Sequence, residues 1–260
     1  MKALEMILFV VTDIHGHFRE LVNALEKAGY DRNDPKHLLV VLGDCFDRGR
    51  QNREVLEFLE GIERKIIVRG NHEDLLEDVL DSHKIELIHE LNGTEDTILD
   101  FFGKGSIDPH TCRLIPDRFV EDRLKAFLAP MVNYFETEKH IFVHGWIPVF
   151  DKEGLVRNDW RLSGKRVWRR ARVTEWPWAY KEGLTLPNKT VVCGHRTTQY
   201  GCRFDSGRRE TDYSPFYGEG LIALDACTVK SGIVNVAVIQ DRVDESALPR
   251  GERTVRGAQL

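Results

Sequence analysis

Three short apolar runs in the first 80 residues, about 30 residues apart, each lead into a cluster of glycine and polar side chains. The runs are Ile7–Val11, Leu38–Leu42 and Ile66–Val68. Amphipathic stretches with helical spacing follow them, at Phe18–Ala28, Glu54–Leu59 and Glu73–Leu80. This order of strand and helix predicts βαβ units around a parallel sheet, and hence an α/β fold.

Strand character returns in the second half of the chain. The later runs are His140–Val143, Thr190–Cys193, Leu221–Leu224 and Ile233–Ile239. Segment 82–130 is polar and less periodic, which favours a cap-like insertion over a separate domain. From residue 241 to residue 260 the chain has almost no large apolar side chain, so we expect a disordered tail there. We therefore predict a single domain over residues 1–240.

Composition excludes several classes of protein. Hydrophobic residues make up 42% of the 260 residues, which favours a folded core over disorder. The longest apolar run, Met6–Val11, is far shorter than the roughly 20 residues of a membrane helix, and no secretory leader opens the chain. A formal net charge of -5 argues against stable nucleic-acid binding. Five cysteines without a CxxC pair argue against disulfides and a cysteine zinc site. Together with the short apolar runs, they lead us to expect a cytoplasmic protein without a membrane partner.

The polar clusters after the first three strands carry carboxylate, imidazole and amide groups. They are Asp13-Ile14-His15-Gly16, Gly43-Asp44-Cys45-Phe46-Asp47-Arg48-Gly49 and Gly70-Asn71-His72-Glu73. Ligands of open α/β sheets bind outside the carboxyl ends of the strands, so we expect the clusters to face one crevice. Asp13 and His15 lie two apart on extended chain and should point the same way. The glycines leave room where the backbone turns beside an ion or a phosphate.

Two later histidines, His144 and His195, close apolar strands beside a glycine in the same manner. The candidate ligands thus combine carboxylate, imidazole and amide groups, which suit manganese, iron or zinc better than calcium or magnesium alone. The full set is Asp13, His15, Asp44, Asn71, His72, His144 and His195. So many groups exceed the needs of one ion and fit a centre with two ions about 3.5–4 Å apart.

The three blocks resemble the signature blocks of the calcineurin-like metallophosphoesterases, and more narrowly those of the phosphoprotein phosphatase branch that includes the phage lambda type. The separations of 31 residues between Asp13 and Asp44, and of 27 residues between Asp44 and Asn71, are also similar to those of the family. The resemblance implies a four-layer α/β/β/α sandwich with a mixed sheet core.

The resemblance also implies a role for each ligand candidate. The first metal would be held by Asp13, His15 and Asp44. The second would share Asp44 and be completed by Asn71, His144 and His195. Two divalent ions are therefore implied, with manganese expected and iron or zinc as alternatives.

Four further residues would act on the substrate. His72 resembles the general acid of the family, and Asp47 would orient it. Arg48 matches the arginine that grips the substrate phosphate, and Arg170 would supply a second one, although it lies in a basic run typical of a solvated helix face. Glu73 is either an early-turn residue favoured by the helix dipole or a support for the neighbouring ligands.

The implied activity is metal-dependent phosphoester hydrolysis. Two adjacent dications lower the pKa of a water between them, so that hydroxide is available near neutral pH. The favoured substrate is a phosphorylated protein, as for a serine/threonine-type protein phosphatase. The alternative is symmetrical hydrolysis of diadenosine tetraphosphate, because Gly220–Asp225 is similar to the ending of those hydrolases as well. A phosphate-binding module without catalysis is a remote alternative, which the complete ligand set argues against.

Overall fold

The computed structural model describes residues 3–148 and 159–248. The strands are β1 (Ala3–Val11), β2 (His37–Val41), β3 (Lys65–Ile67), β4 (Ile107–Asp108), β5 (Arg113–Leu114), β6 (Phe135–Glu136), β7 (His140–Phe142), β8 (Thr190–Cys193), β9 (Phe216–Gly218), β10 (Leu221–Ala223) and β11 (Ala237–Asp244). The helices are α1 (Phe18–Ala28), α2 (Asn52–Glu60), α3 (Asn71–Ser82), α4 (Leu87–Asn92), α5 (Thr94–Phe102), α6 (Arg118–Leu128), α7 (Lys165–Arg172), α8 (Trp176–Lys181) and α9 (Thr228–Ser231). All the helices described are too short or too polar to cross a membrane.

The first sheet has the order β11-β1-β2-β3. β1, β2 and β3 run parallel, and β11 pairs with β1 in the antiparallel sense. Side chains alternate along β1, as the period of a strand requires. Phe9 and Val11 pack with Leu21 of α1 and with other helices on the outer face, whereas Leu8 and Val10 point to the opposite face.

The second sheet has the order β6-β7-β8-β10-β9, with β7, β8 and β10 parallel. Phe142 and Val192 from this sheet pack against the inner face of the first sheet. On its outer face, Trp168 of α7 and Trp176 of α8 belong to a separate buried cluster. The layers are therefore helices, sheet, sheet and helices, and the expected α/β/β/α sandwich with mixed sheets is confirmed.

The last strand differs from its prediction. It runs over Ala237–Asp244 instead of Ile233–Ile239, and its inward side chains at Ile239, Asp241 and Val243 are buried. Asp241 accepts a 2.6 Å hydrogen bond from Nδ1 of His140. The expected disordered tail is therefore wrong for residues 241–244, because a charged residue on the buried face, Asp241, and an apolar residue on the exposed face, Val238, hid the alternation. Residues 249–260 lie outside the described part of the chain.

Segment 82–130 is largely helical, since it contains α4, α5 and α6 with the short β4–β5 hairpin between them. Ile98, Leu124 and Phe127 from this segment belong to the same buried cluster as Phe46 and the outer face of the first sheet. These contacts attach the segment to the main core. The division of the chain into one domain with a cap-like insertion stays a prediction.

Candidate active site

The predicted ligand residues all follow strands at one end of the sandwich. They are Asp13 and His15 after β1, Asp44 after β2, Asn71 in the first turn of α3 after β3, His144 after β7 and His195 after β8. Parallel register places Val11 beside Val41, and the pairing continues as Asp13 N donates to the Gly43 carbonyl at 3.2 Å. Strand ends from both sheets thus meet around one cavity of about 460 Å³.

Asp44 lies at the centre of this cluster. Its Oδ2 atom is 3.3 Å from Nε2 of His144, 3.8 Å from Nε2 of His72 and 3.9 Å from Nε2 of His15. Donor atoms within 4.8 Å of one another form two groups, His15–Asp44–His72 and Asp44–His144–His195. The carboxylate of Asp44 is common to both groups, as a ligand shared by two ions must be.

The remaining expected ligands border these groups. Oδ1 of Asp13 is 4.0 Å from Nε2 of His15, and Oδ1 of Asn71 accepts a 3.0 Å hydrogen bond from Nε2 of His144. The structure therefore brings all six predicted ligands together. It also places His72 within reach of Asp44, which spacing along the chain left open.

Backbone carbonyls fix the orientation of two imidazoles. Nδ1 of His15 donates to the Phe46 carbonyl at 3.0 Å, and Nδ1 of His144 donates to the Leu42 carbonyl at 2.6 Å. Each bond leaves Nε2 turned toward the cluster. A hydrogen bond at the far nitrogen is the usual way in which a protein fixes the tautomer of a metal-binding histidine.

Strained backbone is concentrated in the same turns. Left-handed φ angles occur at Asp13 (49°), His15 (47°), Asp44 (54°) and His195 (62°), and also at Asp47 (71°). This region is uncommon for residues other than glycine and costs about 1–3 kcal/mol where it is imposed. Asp13 and His15 therefore do not lie on extended chain as expected, and their side chains converge because the backbone turns sharply after β1.

Two glycines leave space for the carboxylates. A Cβ atom at Gly70 would overlap Oδ1 of Asp44, and a Cβ atom at Gly194 would overlap Oδ2 of Asp13. Neither glycine has a left-handed φ angle. Their missing side chains are thus needed for close approach to the acidic groups, as expected for Gly70.

Glu73 supports the turn at Asp44 through hydrogen bonds to its backbone. Its carboxylate accepts from the backbone N–H of Asp44 at 2.9 Å, of Cys45 at 2.8 Å and of Gly70 at 2.8 Å. It also lies at the third position of α3, where negative charge is favoured by the helix dipole. Both interpretations of Glu73 are therefore compatible with the structure. The three hydrogen bonds to the Asp44 and Gly70 turns are specific to its role as a support for the neighbouring ligands.

The electrostatics suit cations. Burial and the neighbouring imidazoles lower the pKa of His15 and that of His195 to about 3, so both rings are neutral at pH 7. Burial raises the pKa of Asp13 to about 6. Although burial opposes it, the carboxylate of Asp44 raises the pKa of His144 to about 10, and His144 in turn holds the pKa of Asp44 well below its usual range. Buried carboxylates beside the neutral imidazoles of His15 and His195 fit divalent metal ions, and His144 must lose its proton to bind one.

His72 and Asp47 form a buried pair beside the cluster. Nδ1 of His72 donates to Oδ2 of Asp47 at 2.6 Å, and Thr94 Oγ1 donates to the same oxygen at 2.7 Å. Asp47 N donates to Thr97 Oγ1 at 3.1 Å. The pairing predicted for His72 and Asp47 is therefore present, and α5 holds it in place.

Of the two predicted phosphate-binding arginines, the structure brings one to the cavity. Arg48 lines it, with Nη1 3.4 Å from Nε2 of His15. Arg170 borders a smaller cavity with Arg166 and Val167, so its role in phosphate binding stays a prediction. One helical position away, Arg169 lines the site cavity and contacts Asp78.

The model of the calcineurin-like phosphoesterase family matches residues 6–212 of this chain. The chain belongs to the calcineurin-like phosphoesterase family. A relative from Bacillus velezensis (strain DSM 23117 / BGSC 10A6 / LMG 26770 / FZB42), the asymmetrical bis(5'-nucleosyl)-tetraphosphatase PrpE, is 34% identical over 94 residues, which cover 33% of this chain and 38% of that protein. The symmetrical bis(5'-nucleosyl)-tetraphosphatase of Buchnera aphidicola subsp. Baizongia pistaciae (strain Bp) is 33% identical over 96 residues, 35% of this chain and 34% of its own length. The matches thus span little more than a third of these relatives.

Solved structures of other proteins share this fold at low sequence identity. A metallophosphoesterase from Sphaerobacter thermophilus superposes with a TM-score of 0.51 at 14% identity, covering 92% of this chain and 88% of the other. A cold-active protein-tyrosine phosphatase of a psychrophilic Shewanella superposes with a TM-score of 0.50 at 16% identity, covering 87% and 72%.

Sequence reasoning missed two residues near the site of this calcineurin-like phosphoesterase, the buried Thr94 and the cavity-lining Arg169. Thr94 lies 47 positions from Asp47, and no motif marks it. Arg169 could have been found from helical spacing, because it shares a face of α7 with Arg172, which donates from Nη1 to Asp74 at 2.6 Å. Thus α3 and α7 are joined by arginine–carboxylate bonds at the cavity wall.

Proposed function

We propose that this protein is a metal-dependent phosphoester hydrolase with two divalent ions. The observation that carries the proposal is the carboxylate of Asp44, which is shared by two groups of imidazole donors. We assign Asp13, His15 and Asp44 to one ion. We assign Asn71, His144 and His195, again with Asp44, to the other.

The residues of the cavity would divide the chemistry among them. Bound cations would supply positive charge beside the phosphate and lower the pKa of water. Arg48 would pair with phosphate oxygens, for which a planar guanidinium is suited. His72 would hold a proton at Nε2 and give it to the departing oxygen. Asp47 and Thr94 would keep the ring aimed, and Glu73 would hold the Asp44 turn.

Two substrate classes fit this chemistry. The relatives that are bis(5'-nucleosyl)-tetraphosphatases favour a dinucleoside polyphosphate. The intact sequence Asp47-Arg48-Gly49 supports the second candidate, a phosphorylated serine or threonine of a protein. We propose the nucleotide as the substrate, with manganese as the cation and iron or zinc as alternatives. We also propose the cytoplasm as the compartment, which the five free cysteines support.

A substrate panel with added Mn²⁺ tests the proposal. It would contain bis(5'-adenosyl) tetraphosphate, a phosphoserine peptide and an aryl phosphate at equal enzyme concentration. We expect Mn²⁺-dependent turnover, fastest for the dinucleotide, and a loss of at least about 100-fold in Asp44→Asn. Asp122→Asn, at an exposed position of α6, is the matched control and should keep its activity. Absence of product from all three substrates would contradict the proposal that the protein is a hydrolase. Turnover of the peptide alone would indicate a phosphorylated protein as the substrate instead of the dinucleotide.

A further inference from the structure

The mouth of the catalytic cavity carries three aliphatic side chains from three different elements. Ile88 comes from α4, Val173 follows α7 directly, and Val229 comes from α9. All three line the same cavity as Asp44 and Arg48. Their exposed fractions are 49%, 50% and 48%, so each shows about half of its surface to solvent.

These side chains contrast with the rest of the cavity. Its buried lining consists of carboxylates and imidazoles, whereas its exposed lining includes branched hydrocarbon, and the partly buried Leu75 adds a further apolar side chain. A phosphate group gains nothing from contact with hydrocarbon. An apolar surface of the substrate would gain about 25 cal/mol for each Å² removed from water.

The position of Ile88 is also fixed locally. Nδ2 of Asn92 donates to the Ile88 carbonyl at 2.7 Å, within α4. Gly93, the residue after this helix, approaches Arg48 so closely that a Cβ atom there would contact the Arg48 backbone. The aliphatic entrance and the phosphate-facing arginine are therefore held next to each other by the turn between α4 and α5.

The size of the cavity bears on what occupies the entrance. A volume of about 460 Å³ lies within the range of sites for whole small molecules and exceeds the needs of a phosphate group. The carbon chain of a phosphoserine offers little more than one methylene group to three aliphatic side chains. A nucleobase offers two extended apolar faces, which aliphatic side chains can cover.

We propose that Ile88, Val173 and Val229 form a subsite for the nucleobase of the substrate. This inference rests on the proposed function and deepens it, because it assigns the nucleoside side of the substrate to named residues. It also assigns a function in substrate binding to α4, which lies in segment 82–130, and to the chain after α7. The three residues bind the base and thereby position the phosphate, and they take no part in proton transfer.

Binding of AMP, as its non-hydrolysable 5'-phosphonate analogue, and of inorganic phosphate to the Mn²⁺-loaded protein, measured by calorimetry, tests the subsite without any turnover. The variants are Ile88→Thr, Val173→Thr, Val229→Thr and their combination, each of which keeps a β-branched side chain. We expect each single change to weaken AMP binding about threefold and the triple change at least tenfold, with phosphate binding altered less than twofold.

Two controls match these variants. Val238→Thr changes a valine of β11 that is 50% exposed and does not line the cavity, and Leu91→Thr changes an exposed residue of the same helix as Ile88. Both should bind AMP normally. The subsite is disproved if wild-type protein binds AMP no more tightly than phosphate, or if the triple variant loses affinity for both ligands equally.

The outcome separates this inference from the proposed function. Base-dependent AMP binding without hydrolysis of any phosphoester would retain the subsite and reject the hydrolase. Hydrolysis of bis(5'-adenosyl) tetraphosphate with an unchanged KM in the triple variant would retain the hydrolase and reject the subsite. A raised KM for the phosphoserine peptide alone would assign the entrance to peptide side chains and overturn the nucleobase.

Discussion

Nδ1 of His72 lies 2.6 Å from Oδ2 of Asp47, and both side chains are buried. Thr94 donates to the same carboxylate oxygen, so the ring of His72 cannot turn without breaking a buried network. Burial opposes a charged imidazole, but the carboxylates of Asp44 and Asp47 outweigh it and raise the pKa of His72. The geometry thus favours a protonated ring whose Nε2 faces the cavity.

Replacing His72 tests this proton donor. We expect His72→Asn to lower kcat on an alkyl phosphate by about 100-fold or more, because a poor leaving group needs the proton. On an aryl phosphate with an acidic leaving group, the loss should stay below about tenfold. Steady-state kinetics on both esters, with bound manganese counted by elemental analysis, measure the effect. Equal losses on the two esters would exclude His72 as the acid.

Asp47→Asn should move the pH profile without removing the imidazole. Since Asp47 raises the pKa of His72, its neutralisation lowers that pKa. The protonated form is present below the pKa and disappears as pH rises through it. The alkaline decline of alkyl phosphate hydrolysis should therefore shift to lower pH in the variant. Thr94→Val, which leaves the carboxylate charge in place, should cause a smaller shift, and an unchanged profile in Asp47→Asn would contradict the pairing.

Metal binding should release protons at neutral pH. In the protein without cations the pKa of His144 is raised to about 10, so the ring is protonated at pH 7. A ligating imidazole must be neutral, and binding therefore expels a proton. We expect affinity for Mn²⁺ to increase as pH rises from 6 to 9. Calorimetry at pH 7 in buffers of different ionisation enthalpy measures the protons released, and a count of zero would be incompatible with His144 as a ligand.

A methyl group at Gly194 should weaken the cation site. Its Cβ would overlap the Asp13 carboxylate and Thr12, so that Asp13 must move. We expect Gly194→Ala to lower Mn²⁺ affinity by about tenfold or more, in the range found for supports of metal ligands. Gly164→Ala is the matched control, because a Cβ there meets no atom within 4 Å and no left-handed φ is required. Normal Mn²⁺ affinity in Gly194→Ala would show that the Asp13 carboxylate can move without loss of metal binding, and would contradict this prediction.

Neighbouring arginines of α7 should differ in effect. Arg169 lines the catalytic cavity, whereas Arg170 borders another one. We expect Arg169→Ala to raise the KM at least about threefold, because it removes a positive charge from the wall that anionic substrates pass. Arg170→Ala should leave KM within about twofold. A larger change in Arg170→Ala than in Arg169→Ala would instead support Arg170 as the second phosphate-binding arginine.

The placement of the site could be predicted because it depends on local pattern. Apolar runs ending in Asp13, Asp44 and Asn71 define three parallel strands, and parallel strands put their carboxyl ends at one edge. His144 and His195 follow the same rule in the second sheet. The sequence pattern therefore located the predicted ligands without any knowledge of how the sheets pack.

Other features depend on long-range contacts that have no local signature. Arg169 and Arg170 are adjacent, and helical spacing groups Arg169 with Arg172, but the packing of α7 against α3 decides which face of α7 meets the cavity. Thr94 reaches Asp47 through the position of α5. The left-handed turns at Asp13 and His15 arise because the converging loops impose them, whereas sequence spacing favoured extended chain.

Asp241 and His140 join β11 of the first sheet to β7 of the second through a partly buried 2.6 Å hydrogen bond. His140 begins the strand that His144 follows, so this bond lies away from the cluster around Asp44. It resists sliding of one sheet over the other. The distances between Asp13 and Asp44 on the first sheet and His144 and His195 on the second consequently depend on how the two sheets pack, so we expect selectivity among ions of different radius to depend on the whole sandwich.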